Sequence, residues 1–153
     1  MTCLLACYFL HKFKHEYAMQ TIINTLDFSR IQKCINDAKQ ANSISVVEAT
    51  NLMKELRLGK FLDPEEIPND IVTMNSVVKI AFLDSKKTVE IQVVYPDKAD
   101  LKNNKISIFS PIATALIGYK IGDEIEWCVP AGITKIRIDE IVFQPEAAGQ
   151  FNI

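Results

Sequence analysis

The sequence predicts an α+β fold: a short antiparallel helical hairpin, followed by an antiparallel sheet domain that carries one short helix. Three observations predict it. Apolar residues recur with a helical period between Asp27 and Leu58, then alternate with a period of two between Val77 and Phe143, and one fully punctuated short helix interrupts the alternating region at residues 110–118.

In the helical region Phe28, Ile31, Ile35 and Ala38 step by three, four and three, which sets them on one helix face. Val46, Ala49, Met53 and Leu56 form a second stripe, and the polar run from Gln40 to Ser45 is long enough to turn the chain back. Ser45-Val46-Val47-Glu48 has the pattern of a capping box, in which the serine oxygen and the glutamate side chain each satisfy an unpaired backbone N–H. Gly59 is the expected terminator, because glycine adopts a left-handed conformation at least cost. Arms of about 13 residues are roughly 20 Å long. Such a pair is marginal alone, so it is expected to be anchored at its base. Pro64 and Pro68 exclude a regular helix from the connector that follows and favour extended backbone there.

In the alternating region Val78, Ile80 and Phe82 share one face of a strand, and Val89, Ile91, Val93 and Tyr95 share one face of the next. A third strand is expected from Lys105 to Phe109. Ser110 caps the short helix, Pro111 fits its first position, and Gly118 lies just past its end. Ile125, Trp127 and Val129 mark a fourth strand. In the last strand Ile136 and Ile138 fall in one phase and Ile141 and Phe143 in the other, which predicts a bulge near Asp139 and Glu140.

The resulting organisation is an N-terminal extension at residues 1–25, a helical hairpin at 26–62, a linker at 63–71 and a β-rich domain at 72–153. The extension reads as flexible or as the product of an upstream start codon, with Met19 beginning the working protein. Leu4-Leu5-Ala6-Cys7 resembles a lipid-attachment box, but only six residues precede Cys7 and none is charged. The apolar run at 3–10 is far short of the ~20 residues that span a bilayer.

Composition narrows the function classes. The chain of 153 residues is 48% hydrophobic and 24% charged, with 17 basic and 19 acidic side chains. Divided after Ile71, it carries 8 basic and 9 acidic residues before the cut and 9 basic and 10 acidic after it. Neither part has the basic excess with which proteins neutralise phosphates, which argues against strong direct nucleic-acid binding. The four cysteines are scattered without a metal-ligand pattern, as in a reduced cytoplasmic protein. His11 and His15 are four apart, but no third ligand lies nearby in sequence. No cofactor motif is present.

Five stretches, in order, resemble the C-terminal domain of the Gre transcription-factor family: Val72-Thr73-Met74-Asn75-Ser76, Val94-Tyr95-Pro96, the run from Ser110 to Gly118, Gly122-Asp123-Glu124-Ile125-Glu126-Trp127, and Gln144-Pro145-Glu146-Ala147-Ala148-Gly149. The connector Pro64-Glu65-Glu66-Ile67-Pro68 leading into Val72 is similar to the branch called regulator of nucleoside diphosphate kinase. Cys128 and Ala131 depart from the usual pattern at a turn. The resemblance implies an FK506-binding-protein-like sheet domain, a coiled-coil hairpin and a monomer that docks on RNA polymerase at the rim of its secondary channel. It also implies docking candidates at Ser110, Pro111, Ile112, Ala115 and Gly118, and hairpin-tip candidates at Asp37, Asn42, Ser43 and Glu48.

Cleavage-stimulating members of the family carry acidic residues at the hairpin tip, which help hold Mg²⁺ in the polymerase. A hard divalent cation takes carboxylate oxygens. The tip from Gln40 to Ser45 has none, and the nearby Glu48 is already assigned to the capping box, with Asp37 a solvated helix residue. The expectation is therefore a non-enzymatic elongation regulator without a bound metal. The alternatives are an active cleavage factor and a prolyl isomerase or chaperone-like protein, the latter with Trp127, Tyr119, Phe109 and Phe143 as pocket walls. Core packing of Trp127 and Phe143 is the simpler account of those aromatics.

Overall fold

The computed structural model describes residues 20–129 and 132–153, the side chains of 127–129 excepted. The expectations for residues 1–18, for the start at Met19, for the Trp127 and Cys128 side chains and for Ala131 lie outside the described residues.

The helical region is closed at its base by strands. β1 (Ile22–Asn24) leads into α1 (Thr25–Gln40), a turn leads to α2 (Val46–Arg57), and β2 (Lys60–Leu62) follows. β1 and β2 pair in parallel, Ile22 opposite Lys60 and Asn24 opposite Leu62. Residues 22–25, expected in the extension, are thus part of the fold. Ile23 is buried, and the Asn24 Oδ1 caps α1 by accepting from the Leu26 N–H at 2.9 Å. Local pattern could not show this, because the pairing partner lies beyond both helices.

Ile31, Ile35 and Ala38 of α1 are buried, as their spacing predicts, but Asp27 heads the buried stripe in place of Phe28, which is half-buried. That of α2 is Ala49, Leu52, Met53 and Leu56. Val46, expected to head this stripe, is 70% exposed, and Ile44 from the turn packs against the core instead. Phe28 on α1 meets Phe61 on β2 edge to face, with ring centroids 5.0 Å apart. The capping box is present, with the Glu48 N–H donating to Ser45 Oγ at 3.1 Å and the Ser45 N–H donating to Glu48 Oε2 at 3.1 Å.

Gly59 does not act as a left-handed terminator. Leu58 caps the helix in right-handed conformation, and Gly59 is absent from the positive-φ residues. Its lack of a side chain serves close approach instead: a Cβ there would lie 2.6 Å from Ile23 Cγ1. The connector forms one 3-10 turn at Pro64–Glu66 where extended backbone was expected, and it buries Ile67.

The sheet comprises β3 (Val77–Phe82), β4 (Lys87–Val94), β5 (Lys105–Ser107), β6 (Glu124–Val129) and β7 (Gly132–Phe143), in the order β5-β4-β3-β7-β6. It is mixed rather than antiparallel, because β5 runs parallel to β4. The loop between them contains two 3-10 turns and a left-handed Asn104 (φ 55°), which reverse the chain before β5 begins. β5 is also shorter than expected, ending at Ser107 with Ile108 fully buried after it. The bulge is present: Lys79 faces Glu140 and Ile80 faces Ile138, leaving Asp139 extra. A second irregularity leaves Val142 extra between Ile141 and Phe143.

α3 (Pro111–Leu116) lies after β5, with Ser110 as N-cap and Pro111 in the first turn. Val78, Ile80, Ile91, Val93, Ile136 and Ile138 of the sheet share one apolar cluster with Leu116 of α3, with Ile31 and Ile35 of α1 and with the buried stripe of α2. The helices and the sheet therefore have a common core. The arrangement is α+β with a mixed sheet.

Candidate interaction surfaces

Three of the five family-like stretches converge on the first turn of α1. Asp27 is buried there, with Oδ2 accepting from the Met74 N–H at 3.1 Å and Oδ1 from the Tyr95 hydroxyl at 3.2 Å. Asn24 donates through Nδ2 to Glu146 Oε1 at 2.6 Å, and the Thr73 hydroxyl donates to Glu146 Oε2 at 2.7 Å. Ser76 Oγ accepts from the Thr73 N–H at 3.1 Å. The residues at 72–76, Tyr95 and Glu146 thus form the seat of the helical pair, a role their sequence does not announce. Asp27 has a legible signal in retrospect: it lies four residues before Ile31 on the buried stripe, where an acid requires a partner.

The docking candidates separate by position. Pro111 is exposed, while Ser110, Ile112 and Ala115 are half-buried, the last two packed against the core. Gly118 is internal. It has φ +82°, its carbonyl accepts from the Ile22 N–H at 3.0 Å, and a Cβ would lie 2.9 Å from Ile23 Cδ1. It shapes the fold and offers no surface. Leu116 is fully buried, in keeping with a core role.

The tip candidates Asp37, Asn42, Ser43 and Glu48 are all exposed. Asn42 takes a left-handed φ of 53° at the turn. Glu48 is committed: Oε2 accepts from both the Ser45 N–H and the Ser45 hydroxyl, at 3.1 and 2.8 Å, and these bonds hold its carboxyl below the usual glutamate range. Val46 and Val47 are the large apolar side chains exposed beside it. Among the described residues no three His, Cys, Asp or Glu side chains converge as a metal site would require.

An open groove of about 670 Å³, which sequence reasoning did not identify, separates α1 from the sheet domain. Arg30, Lys33, Cys34 and Asp37 line one side and Tyr95 and Phe109 the other. The Cys34 thiol is pushed up by burial and by the nearby Asp97 and Asp37, so it is a poor nucleophile. Neither Tyr119 nor Phe143 lines this groove. Tyr119 packs against the core, its hydroxyl pushed up to about 12 by burial, so the proposed prolyl pocket does not assemble there. No described helix is long and apolar enough to cross a membrane.

A family model described as transcription elongation factor, GreA/GreB, C-term, matches residues 67–142. The regulator of nucleoside diphosphate kinase of Escherichia coli strain K12 is 37% identical over 131 residues, which are 85% of this chain and 94% of that protein. Transcription elongation factor GreA of Clostridium botulinum strain Kyoto is 34% identical over 87% of this chain and 84% of its own length. Among solved structures, a prokaryotic transcription elongation factor GreA/GreB from Nitrosomonas europaea is similar at a TM-score of 0.66 and 36% identity, covering 81% of this chain and 100% of that one.

Proposed function

Because the chain belongs to the GreA/GreB transcription elongation factor family, we propose that it docks on RNA polymerase at the rim of the secondary channel and regulates elongation without stimulating transcript cleavage. The observation that carries the second half is the state of Glu48. Glu48 Oε2 is tied to two donors of Ser45, which leaves Oε1 alone to a metal and disfavours a bidentate grip. No other acid stands between Lys39 and Val47. The tip meets its partner through Asn42, Ser43 and the exposed Val46 and Val47, which can fill space but bring no carboxylate to a divalent cation.

Docking itself is assigned to the face around Pro111, with Ser110, Ile112 and Ala115 at its margins. The near-neutral charge of both parts of the chain suits a protein partner better than nucleic acid. We place the protein in the cytoplasm as a monomer that occupies the channel mouth and excludes other channel-binding factors.

The test has two arms. Purified protein is titrated against core polymerase in competition with a cleavage-active Gre factor, and separately added to backtracked elongation complexes. Competition without release of cleaved transcript is the expected result. Failure to bind polymerase overturns the docking half, and strong cleavage overturns the non-catalytic half.

A further inference from the structure

Four separated segments meet at one buried polar cluster: the first turn of α1, the turn at 72–76, Tyr95 after β4 and Glu146 after β7. Two of its members are carboxylic acids. Asp27, only 4% exposed, is bonded to the Met74 N–H and the Tyr95 hydroxyl. Glu146 is bonded to Asn24, the cap of the same helix, and to Thr73, the neighbour of Met74. The two acids therefore brace the same pair of segments from either side.

The charged groups facing Asp27 do not balance. Burial is the largest influence on its carboxyl and lifts it to about 7; the Met74 N–H works against this, Glu146 adds to it, and Tyr95 and Arg30 oppose it. Arg30, the cation facing the cluster, is also engaged elsewhere, donating to the Ile153 carbonyl at 2.8 Å and the Asn152 carbonyl at 3.2 Å. An anion at Asp27 would sit beside the negative Glu146 in a space nearly closed to water.

We propose that this cluster is a proton-controlled joint: with Asp27 protonated the helical pair is seated on the sheet domain, and loss of that proton to solvent loosens the seat. A neutral Asp27 keeps the Met74 bond and shares its proton with Tyr95. The anion gains most by hydration, and water reaches it only if the first turn of α1 lifts away from the 72–76 turn. β1 and β2 make their own backbone ladder and the Ile22 N–H donates to the Gly118 carbonyl at 3.0 Å, so the base of the helical pair stays attached while its seating changes. The joint does not depend on polymerase, so it and the docking proposal can fail separately.

The experiment follows two signals in the full chain between about pH 5 and 8.5: the carbon-13 shift of the Asp27 carboxyl, and the hydrogen-exchange protection of the Met74 amide and the α1 backbone, corrected for intrinsic exchange. Protection should fall roughly tenfold as Asp27 ionises near neutrality, with the two midpoints coinciding. In Asp27→Asn the fall should vanish. Should that variant not fold, Tyr95→Phe, which removes a donor to the carboxylate, should move both midpoints to higher pH. Titration of Asp27 in the ordinary aspartate range overturns the proposal, as does protection unchanged through its titration, or an equal fall in Asp27→Asn.

Discussion

Two glycines show how differently one residue type can be required. Gly118 combines φ +82° with contacts that a Cβ would make at 2.9 Å to Ile23 Cδ1 and 3.0 Å to the Ile22 carbonyl. Gly122 has φ +92° and nothing within 4 Å. Gly122→Ala should therefore cost about 1 kcal/mol, the conformational penalty alone. Gly118→Ala should cost roughly 3 kcal/mol, because the obstruction includes backbone that cannot swing aside. Chemical denaturation of the two variants measures the difference, and equal losses would mean that β1 yields easily. The sequence showed Gly118 as punctuation after a helix, correctly, but it could not show the strand laid against it, which belongs to a segment nearly a hundred residues earlier. Asp27 and Asn24 were passed over for the same reason: near a helix start, acids and amides are ordinary, and only the distant Glu146 and Met74 give them another meaning.

Elements whose logic is local were the most legible. The capping box at Ser45 and Glu48, the caps around α3 and the phase slip at Asp139 all follow from residues within a few positions of one another. The direction of β5 was not legible, because three residues cannot encode whether the preceding loop has reversed the chain. The same locality makes α3 a clean place to test docking. Pro111 is exposed at the first helical position, where an acid is favoured by the backbone N–H groups and the helix dipole. Pro111→Glu should leave the melting temperature nearly unchanged and weaken polymerase binding about tenfold, a loss of ~1.4 kcal/mol. Binding equal to that of the parent would move the docking face elsewhere.

For the whole molecule, the buried acid dictates how stability varies with pH. The folded chain holds a proton on Asp27 up to about pH 7, whereas the unfolded chain releases it near 3.8, the ordinary aspartate value. Folding therefore takes up a proton between these values. The contribution is fully present below the unfolded value and is lost as pH rises through the folded one, by up to about 4 kcal/mol. Glu48 and Asp100 are shifted in the opposite sense, but both are open to solvent and oppose this trend little. Urea unfolding at pH 5 and pH 8 should show the higher stability at the lower pH, and Asp27→Asn should flatten the dependence. The α+β class was readable from periodicity. The polar seat and the groove were not, since each is assembled from segments that meet only in the fold.

The parallel pairing of β1 with β2 has a consequence for variation within such proteins. The chain leaves the body at Asn24 and returns beside it at Leu62, so everything between is a detour whose entrance and exit are fastened side by side. Insertions or deletions matched in the two arms would move the tip outward or inward and leave the doorway intact. Reach is then an adjustable dimension, separable from the architecture that supports it.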